Sequence, residues 1–261
     1  IIGDDPATRA VLAAGRAGRL RAAVKWGIGI DNVDVAAARE LGLGFINTPD
    51  MFGDEVADYA MAYVTALARH LFEVDRGVRA GAWPKPAGTS LRDKVVGLVG
   101  YGNIGRACAR RFDAAALVVQ VYDPGAAASA AAAADGRAVL AWPTGLEACD
   151  FLVFTCALNA ANRHMLDDAT LARCKPGVRV VNVARGPLID TAALLAALSD
   201  GRMHGAALDV FEVEPLAAEA ELRRFANVVF GSHNGSNTVE AVRRTSRRAI
   251  AELARLLAAP A

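Results

Sequence analysis

The chain has 261 residues, which fits one large domain or two modest ones, and its formal net charge is +1. A charge this close to zero creates no strong field toward nucleic acid or a membrane surface, so we expect neither as a partner. No apolar run approaches the roughly 18 residues that a membrane helix needs. The four cysteines lack Cys-x-x-Cys spacing, which is typical of buried free thiols in a reducing, cytoplasmic setting.

The N-terminal third is predicted to alternate helices with short strands. The acidic, proline-containing residues 4–6 predict the start of a helix. Residues 22–34 predict a strand that runs into a glycine-rich turn, residues 33–42 a helix closed by glycine, and residues 43–49 a second strand. Residues 53–83 then carry one long helical pattern with apolar side chains on a single face.

From Lys94 onward, apolar β runs alternate with helical segments. The predicted strands lie within residues 94–100, 117–123, 150–156, 178–184, 205–211 and 227–232. This alternation predicts βαβ units, and therefore a parallel sheet covered by helices on both faces. The alanine-rich residues 126–136 are interpreted as a surface helix or a loose loop, and residues 239–260 as an amphipathic helix.

A glycine motif lies between the first of these strands and its helix. Gly100, Gly102 and Gly105 form Gly-x-Gly-x-x-Gly. In this context the first glycine permits a tight turn, the second lets a pyrophosphate approach the backbone, and the third allows close packing of helix on strand. The helix start, at Asn103 and Ile104, offers free N–H groups and a positive dipole end to phosphates. A purely structural glycine turn is the alternative.

The acid expected for ribose binding follows about 20 residues after the motif. Asp123 ends the next predicted strand, where a carboxylate can accept hydrogen bonds from the ribose hydroxyls. Pro124 follows it, and no arginine comes directly after. Because a 2′-phosphate would meet a carboxylate and no clear cation, the sequence favours NAD over NADP as cofactor.

Three later strands are each followed by polar side chains. Arg185 follows one, Asp209 and then Glu214 follow the next, and His233 follows the last. In open α/β sheets ligands bind beyond the carboxyl ends of the strands, so we expect these groups to converge there. A histidine can move a hydroxyl proton near neutral pH, a carboxylate can orient it, and arginine suits a substrate carboxylate.

At this point the chain resembles the D-isomer-specific 2-hydroxyacid dehydrogenases, particularly their phosphoglycerate dehydrogenase branch. The matching stretches span nearly the whole chain and are residues 25–34, 97–106, 181–190, 205–215 and 232–238. The resemblance implies that Arg185 binds substrate, that His233 is the acid/base, and that Glu214 is the partner of His233. Glu212 is a nearby rival for that partnership.

The resemblance also implies further binding residues. It places Asp209 near the nicotinamide. The residues assigned to the cofactor are those of the glycine motif together with Asp123, Cys156, Val183, Ala184, Asp209 and Gly235. The backbone N–H groups of Ile28 and Gly29 are assigned to the substrate carboxylate.

The domain organisation is likewise an expectation from the resemblance. It implies two Rossmann-like α/β domains with parallel, doubly wound sheets. Residues 1–50 plus 236–261 form the smaller, substrate domain, and residues 51–235 form the NAD-binding domain. The family's first strand and helix are largely missing before Ile1, so the smaller domain is expected to be incomplete at its N-terminus. A homodimer is implied as well.

The predicted function is NAD-dependent oxidation or reduction of a D-2-hydroxy acid, with 3-phospho-D-glycerate as the leading substrate. Two alternatives stay open: a glyoxylate or hydroxypyruvate reductase, and a non-enzymatic NAD-sensing protein on the same fold.

Two residues near the predicted substrate turn, and three of the four histidines, have a structural role as one interpretation. Lys25 is interpreted as a solvated lysine, with a substrate-phosphate ligand as the alternative, and Trp26 either closes the substrate pocket or points into the core. His70, His164 and His204 are interpreted as structural, without an acid or cation beyond a strand arranged around them. No cluster has the spacing of metal ligands.

Overall fold

The computed structural model describes residues 1, 3 and 5–258, which form two compact units. The smaller unit comprises Ile1–Phe52 and the segment that begins at Asn237, and the larger unit is Gly53–Ser236. These units are defined by their internal contacts alone. The roles predicted for residues 1–50 plus 236–261 and for residues 51–235 therefore stay predictions.

The secondary structure alternates helices and strands along the chain. The helices within the described residues are α1 Arg9–Ala17, α2 Val35–Glu40, α3 Gly53–Arg69, α4 Leu71–Arg79, α5 Asn103–Ala114, α6 Ala126–Ala134, α7 Asp168–Leu171, α8 Thr191–Ser199 and α9 Val239–Ala258. The strands there are β1 Ala22–Lys25, β2 Gly44–Asn47, β3 Val95–Val99, β4 Val118–Tyr122, β5 Val139–Leu140, β6 Phe151–Phe154, β7 Val178–Asn182, β8 Met203–Leu208 and β9 Val228–Phe230. Short 3₁₀ turns follow at Leu146–Ala148, Gly186–Leu188 and Glu221–Arg224.

In the smaller unit, β1 and β2 pair in parallel and α9 packs against both strands. The first helix does not start at residues 4–6, as the acidic proline pattern predicted. Asp4 lies outside the described residues, and the helix begins only at Arg9, where the Thr8 hydroxyl accepts a hydrogen bond from the Val11 amide. The preceding residue, Ala7, makes an isolated parallel bridge instead, so its backbone is committed to pairing before the helix begins.

In the larger unit, seven strands form one parallel sheet in the order β5-β4-β3-β6-β7-β8-β9. The predicted α/β class with a parallel sheet is confirmed. The central strand β6 is buried along its whole length, and each large apolar side chain so buried contributes roughly 1.5–3 kcal/mol. The short edge strand β5 was missed, because two residues carry no readable pattern.

The long helical pattern of residues 53–83 is broken into two helices. His70 adopts a left-handed backbone conformation, with φ of 55°, between α3 and α4. A non-glycine residue in that region ends the helical hydrogen-bond ladder. The predicted apolar face of α3 is buried against the sheet of the larger unit.

Candidate functional site

The glycine motif forms a tight turn that is open on one side. Gly100 has a positive φ of 100°, and a Cβ there would lie 2.6 Å from the Cys156 nitrogen. A Cβ at Gly105 would lie 2.1 Å from the Gly100 oxygen. Around Gly102, the N-cap of α5, a Cβ would meet nothing within 4 Å. The turn is therefore closed where helix meets strand and open where the unpaired amides of the helix start face outward.

The Asp123 carboxylate is fixed beside this turn. One oxygen accepts a hydrogen bond from the Tyr101 amide and the other from the Gly125 amide, both at 2.8 Å. Because each carboxylate oxygen can accept a second hydrogen bond, this geometry still suits two ribose hydroxyls. The open turn and the fixed acid together fit a dinucleotide without a 2′-phosphate.

The sequence did not predict the hydrogen bonds that hold the buried side of the glycine turn. Tyr101, between the first two glycines, is buried, and its hydroxyl donates to Asp135 at 2.8 Å while accepting from Arg137 at 3.1 Å. A tyrosine at the variable position of the motif carries no signal for this contact.

The remaining residues predicted to contact the cofactor have different surroundings. The Asn103 side-chain oxygen lies 2.2 Å from where a Cβ on Gly53 would sit, so this side chain packs against the start of α3 and only its backbone belongs to the turn. Burial raises the pKa of the Cys156 thiol to about 12, which keeps it neutral. Val183 and Ala184 are buried just after β7.

A histidine–carboxylate pair lies beyond strands β8 and β9. His233 Nδ1 lies 2.8 Å from Glu214 Oε2, and Glu214 Oε1 accepts a hydrogen bond from the Phe211 amide at 2.8 Å. When Nδ1 donates to the carboxylate, Nε2 becomes the ring atom that can take up a proton. The structure thus joins the two residues that the sequence assigned to proton transfer, and it assigns Glu214 rather than Glu212 to His233.

The electrostatics of Glu214 favour its charged form. Burial alone would raise the pKa of this carboxyl, but the hydrogen bonds from His233 and the Phe211 amide outweigh burial. The nearby charges of His233 and Arg185 act in the same direction, so the pKa lies below its ordinary value. A carboxylate that stays ionised stabilises a protonated imidazole beside it.

Arg185 is held by the turn that follows β7. The buried Asn182 donates from its side-chain amide to the Arg185 carbonyl at 2.8 Å and accepts from the Ala184 amide at 3.0 Å. The guanidinium donates to the Ala184 carbonyl at 2.7 Å. Asn182 is a site-shaping residue that the analysis of the sequence missed, although a polar residue ending an apolar strand was a visible signal.

Asp209 follows β8 and is only 2% exposed. Its carboxylate accepts hydrogen bonds from the amides of Asn234 at 3.1 Å and Gly235 at 2.9 Å, and its carbonyl accepts one from the His233 amide at 2.6 Å. Asp209 and Gly235 therefore meet in the turn that carries His233.

His164 was wrongly separated from the strand-end acids. Its Nε2 contacts the Glu212 carboxylate, which also accepts a hydrogen bond from the Thr191 amide at 3.3 Å, and Arg163 lies 3.7 Å from Glu212. The contact joins residues 48 positions apart, so no local pattern announces it. His70 lies 3.1 Å from Glu73 and meets the ring of His204 edge to face at 5.3 Å.

The turn predicted to bind the substrate carboxylate lies in the smaller unit. The Ile28 carbonyl accepts from the Asn47 side chain at 2.8 Å, and the Gly27 amide donates to the buried Thr48 hydroxyl at 2.8 Å. Ile28 and Gly29 are half-buried. The turn is thus fixed by side chains of the strand-end residues next to it.

Lys25 was interpreted wrongly, whereas Trp26 makes the packing contacts of its core alternative. Lys25 is 4% exposed and its ammonium donates to the Gly3 carbonyl, so it is not a solvated lysine. A lysine stem packs well in an apolar setting when its ammonium finds an acceptor. Trp26 packs on Phe52 with ring centroids 5.4 Å apart, and its Nε1 donates to Ser246 at 3.3 Å.

The structure describes residues 1, 3 and 5–258. Among these residues no group of three or more histidine, cysteine or acidic side chains is arranged to hold a metal ion. None of the helices in this part of the chain has the length and apolar character needed to cross a membrane.

A parallel sheet with an open glycine turn, an acid fixed beside it and a histidine–carboxylate pair near an arginine is typical of dinucleotide-dependent oxidoreductases. The family model described as "D-isomer specific 2-hydroxyacid dehydrogenase, NAD binding domain" matches residues 61–235. The chain belongs to this family, whose members are NAD-dependent oxidoreductases acting on CH–OH groups, and the resemblance seen in the sequence is confirmed.

Curated relatives carry several substrate names. The chain is 39% identical over 226 residues to D-3-phosphoglycerate dehydrogenase 3, chloroplastic, of Arabidopsis thaliana, covering 86% of this chain and 38% of that protein. It is 38% identical over 244 residues to the glyoxylate reductase of Pyrococcus furiosus, covering 90% and 70%. A glyoxylate reductase structure from Paecilomyes thermophila has a TM-score of 0.86 at 30% identity, covering 95% of this chain and 75% of its own.

Proposed function

We propose that the chain interconverts a D-2-hydroxy acid and its 2-oxo acid with NAD, and that 3-phospho-D-glycerate is the leading substrate. The observation that carries the activity is the 2.8 Å contact between His233 and Glu214, in the unit that holds the NAD-binding turn and Arg185. The similarity to a plant D-3-phosphoglycerate dehydrogenase supports the substrate.

The proposed proton transfer follows from the charges on the pair. Bound NAD would accept or supply the hydride at the substrate's C2 carbon. In oxidation, His233 Nε2 takes the proton of the C2 hydroxyl, and the ionised Glu214 stabilises the imidazolium that forms. In reduction, the imidazolium returns that proton. The Arg185 guanidinium binds the substrate's carboxylate and carbonyl oxygen, a task that suits its planar, permanently charged fork.

The cofactor contacts are proposed for the larger unit. The amides at the start of α5 would receive the pyrophosphate and Asp123 the adenosine ribose, while Asp209 would lie near the nicotinamide. Cys156, Val183, Ala184 and Gly235 complete this set. The open space at Gly102 and the fixed Asp123 support the assignment.

The smaller unit is proposed as the substrate domain. The turn at Ile28 and Gly29 would offer backbone amides to the substrate carboxylate, because glycines on both sides leave the backbone accessible. The hydrogen bonds to Asn47 and Thr48 support a preformed turn.

A glyoxylate or hydroxypyruvate reductase is the second candidate, and the burial of Lys25 favours it. The lysine considered as a ligand for a substrate phosphate donates instead to the Gly3 carbonyl. The similarity to a glyoxylate reductase points the same way. Without a phosphate ligand at this position, a small unphosphorylated 2-oxo acid fits the known contacts equally well.

We also propose a homodimer and a cytoplasmic location. Apolar side chains on and after α4 are exposed, with Trp83 at 76%, and a partner copy would cover them. The four cysteines are free, which supports a reducing compartment. Light scattering of the purified protein tests the dimer, since a monomeric mass at micromolar concentration would reject it.

The deciding experiment is turnover of the purified chain. NADH oxidation is followed with hydroxypyruvate and glyoxylate, and NAD reduction with 3-phospho-D-glycerate. Brisk turnover of the phosphorylated acid supports the leading substrate, whereas turnover of glyoxylate or hydroxypyruvate alone supports the reductase. NADH binding by fluorescence with no turnover of any acid would leave an NAD-sensing protein as the function.

A further inference from the structure

A buried tyrosine lies beneath the turn that carries His233. Tyr63, on α3, is 5% exposed, and its hydroxyl has no hydrogen-bond partner among the residues that the structure describes. Burying a hydroxyl without a partner costs about 1–3 kcal/mol in proteins. A phenylalanine would fill the same space without this cost, so the Tyr63 hydroxyl requires a functional explanation.

The hydroxyl oxygen lies near the Asp209 carboxylate without a hydrogen bond to it. A Cβ built on Gly231 would lie 2.4 Å from the Tyr63 hydroxyl oxygen and 2.2 Å from Asp209 Oδ1. Both oxygens therefore flank the same point above Gly231, which has to be glycine to leave them room. The ring of Tyr59 meets the ring of Tyr63 at 4.9 Å in an edge-to-face arrangement and fixes its orientation.

Asp209 in turn holds the backbone of the His233 turn. It accepts hydrogen bonds from the three consecutive amides of residues 233–235. His233 itself has a left-handed backbone, with φ of 56°, a conformation that costs roughly 1–2 kcal/mol for a residue with a Cβ. The hydrogen bonds to Asp209 offset that cost and so determine where the imidazole lies.

From this geometry we infer that Tyr63 is a positioning residue, which acts on His233 through Asp209. As a proton donor beside Asp209 Oδ1, the hydroxyl stabilises the ionised carboxylate in the orientation that the His233 turn needs. The inference rests on the proposed function for its kinetic consequence only, since the contact itself involves no substrate.

The charges around these groups determine the direction of the effect. Burial raises the pKa of Tyr63 well above its ordinary value, and the negative charge of Asp209 and the contact with Tyr59 raise it further, so the hydroxyl stays protonated as a donor. His233 is surrounded by Glu214, Arg185 and Asp209. Removing the Tyr63 donor leaves more negative potential from Asp209 at the imidazole, which raises the pKa of His233.

The test compares Tyr63→Phe, Asp209→Asn and the double variant. Losing this proton donor beside a charged carboxylate should lower kcat about tenfold in Tyr63→Phe, with little change in the KM for NADH. In the Asp209→Asn background the same substitution should have little further effect, because two residues that act through one contact are not additive. Tyr122→Phe is the matched control, since that buried hydroxyl donates to the Thr144 carbonyl at 2.9 Å, away from His233.

The second readout needs no turnover. The imidazole resonances of His233 are followed by NMR over pH, and they are identified by their absence in His233→Asn. Tyr63→Phe should raise the midpoint of the His233 titration, Tyr122→Phe should not, and Asp209→Asn should abolish the effect of Tyr63→Phe.

The two readouts separate the positioning role from the proposed function. An unchanged His233 titration in Tyr63→Phe, or an equal kcat loss with and without Asp209, overturns the positioning role. A raised midpoint in a protein that turns over no 2-oxo acid would uphold the Tyr63 contact and reject the proposed activity.

Discussion

In two histidine–glutamate pairs of the larger unit, the two glutamates belong to the same short segment of the chain. The pairs differ in the contacts that hold the histidine. Glu214 contacts His233 and Glu212 contacts His164, from positions two residues apart. His233 lies beyond β9, in a turn whose amides are hydrogen-bonded to the buried Asp209. His164 lies in the long loop after β6, and its amide donates to the Pro187 carbonyl at 2.8 Å.

A histidine–carboxylate contact alone does not define an acid/base. Both histidines have a left-handed backbone and an acid within reach. An arginine lies near each glutamate, Arg185 near Glu214 and Arg163 near Glu212, so only the turn beyond β9, held by the buried Asp209, distinguishes His233. Proton transfer requires a fixed imidazole facing the substrate, whereas the His164 pair ties two loops together.

Replacement of the two histidines should give the largest difference between the pairs. His233→Ala should lower kcat by roughly 10²–10⁴, the usual contribution of a positioned acid/base. His164→Ala removes only a loop contact, so its kcat should stay within about threefold of wild type, the small loss expected outside the reacting groups. Steady-state reduction of the best 2-oxo acid measures both. Comparable losses in the two variants would contradict the distinction.

The two glutamates should differ in their effect on the pH–rate profile. With Glu214 present, the imidazolium is stabilised and the pKa of His233 is raised. In Glu214→Gln that pKa falls, so reduction, which needs protonated His233, should decline from a lower pH. Glu212→Gln is the matched control and should keep the wild-type profile. The profile of kcat/KM for reduction is measured, and a shift in Glu212→Gln alone would exchange the roles of the two acids.

The preference for NAD over NADP should not depend on either histidine–glutamate pair. If Asp123 receives the ribose as proposed, NAD should bind more tightly than NADP, and Asp123→Ser should narrow the difference in affinity on the order of tenfold. Fluorescence titration with each cofactor gives the affinities. The pH–rate profile of Asp123→Ser should match wild type, and equal affinities in the unchanged protein would remove Asp123 from this role.

The two glutamates should make similar, small contributions to the free energy of unfolding. Hydrogen bonds hold the pKa of Glu214 and of Glu212 below the ordinary value, against the effect of burial. A depressed carboxyl pKa stabilises the folded state above the unfolded pKa, and this contribution is lost as pH falls through the folded pKa. Since both side chains are partly exposed, each Glu→Gln change should lower the free energy of unfolding at pH 7 by only about 0.5–1 kcal/mol.

Urea unfolding at pH 7 and at pH 3 checks this equality. Near pH 3 the differences from wild type should shrink for both variants. A loss of stability that persists unchanged at pH 3 would show that packing, rather than charge, is responsible.

The sequence predicted the parts of this molecule that depend on order along the chain. Strand-to-helix alternation predicted the parallel sheet, and the glycine spacing predicted the turn before α5. The position of Arg185, Glu214 and His233 after successive strands predicted that they would converge, since the carboxyl ends of parallel strands meet at one edge.

The sequence did not predict contacts between positions far apart in the chain, or features that depend on a single backbone angle. His164 contacts Glu212 from 48 positions away, and Tyr63, on α3, lies near Asp209, which follows β8, so neither has a local pattern. Lys25 was interpreted as solvated, but its ammonium contacts the Gly3 carbonyl from 22 positions away. The break of the long helix at His70 depends on a left-handed conformation that histidine adopts only occasionally.

The discontinuity of the smaller unit has a consequence for biosynthesis. Its strands β1 and β2 are made first, but α9, which packs on both, is made after the 184 residues of Gly53–Ser236. At the ribosome's rate this is a delay of about 10–40 s. The apolar surface of β1 and β2 that α9 covers therefore stays uncovered while the larger unit folds. We expect this interval to be when the growing chain is most exposed to chaperones and proteases.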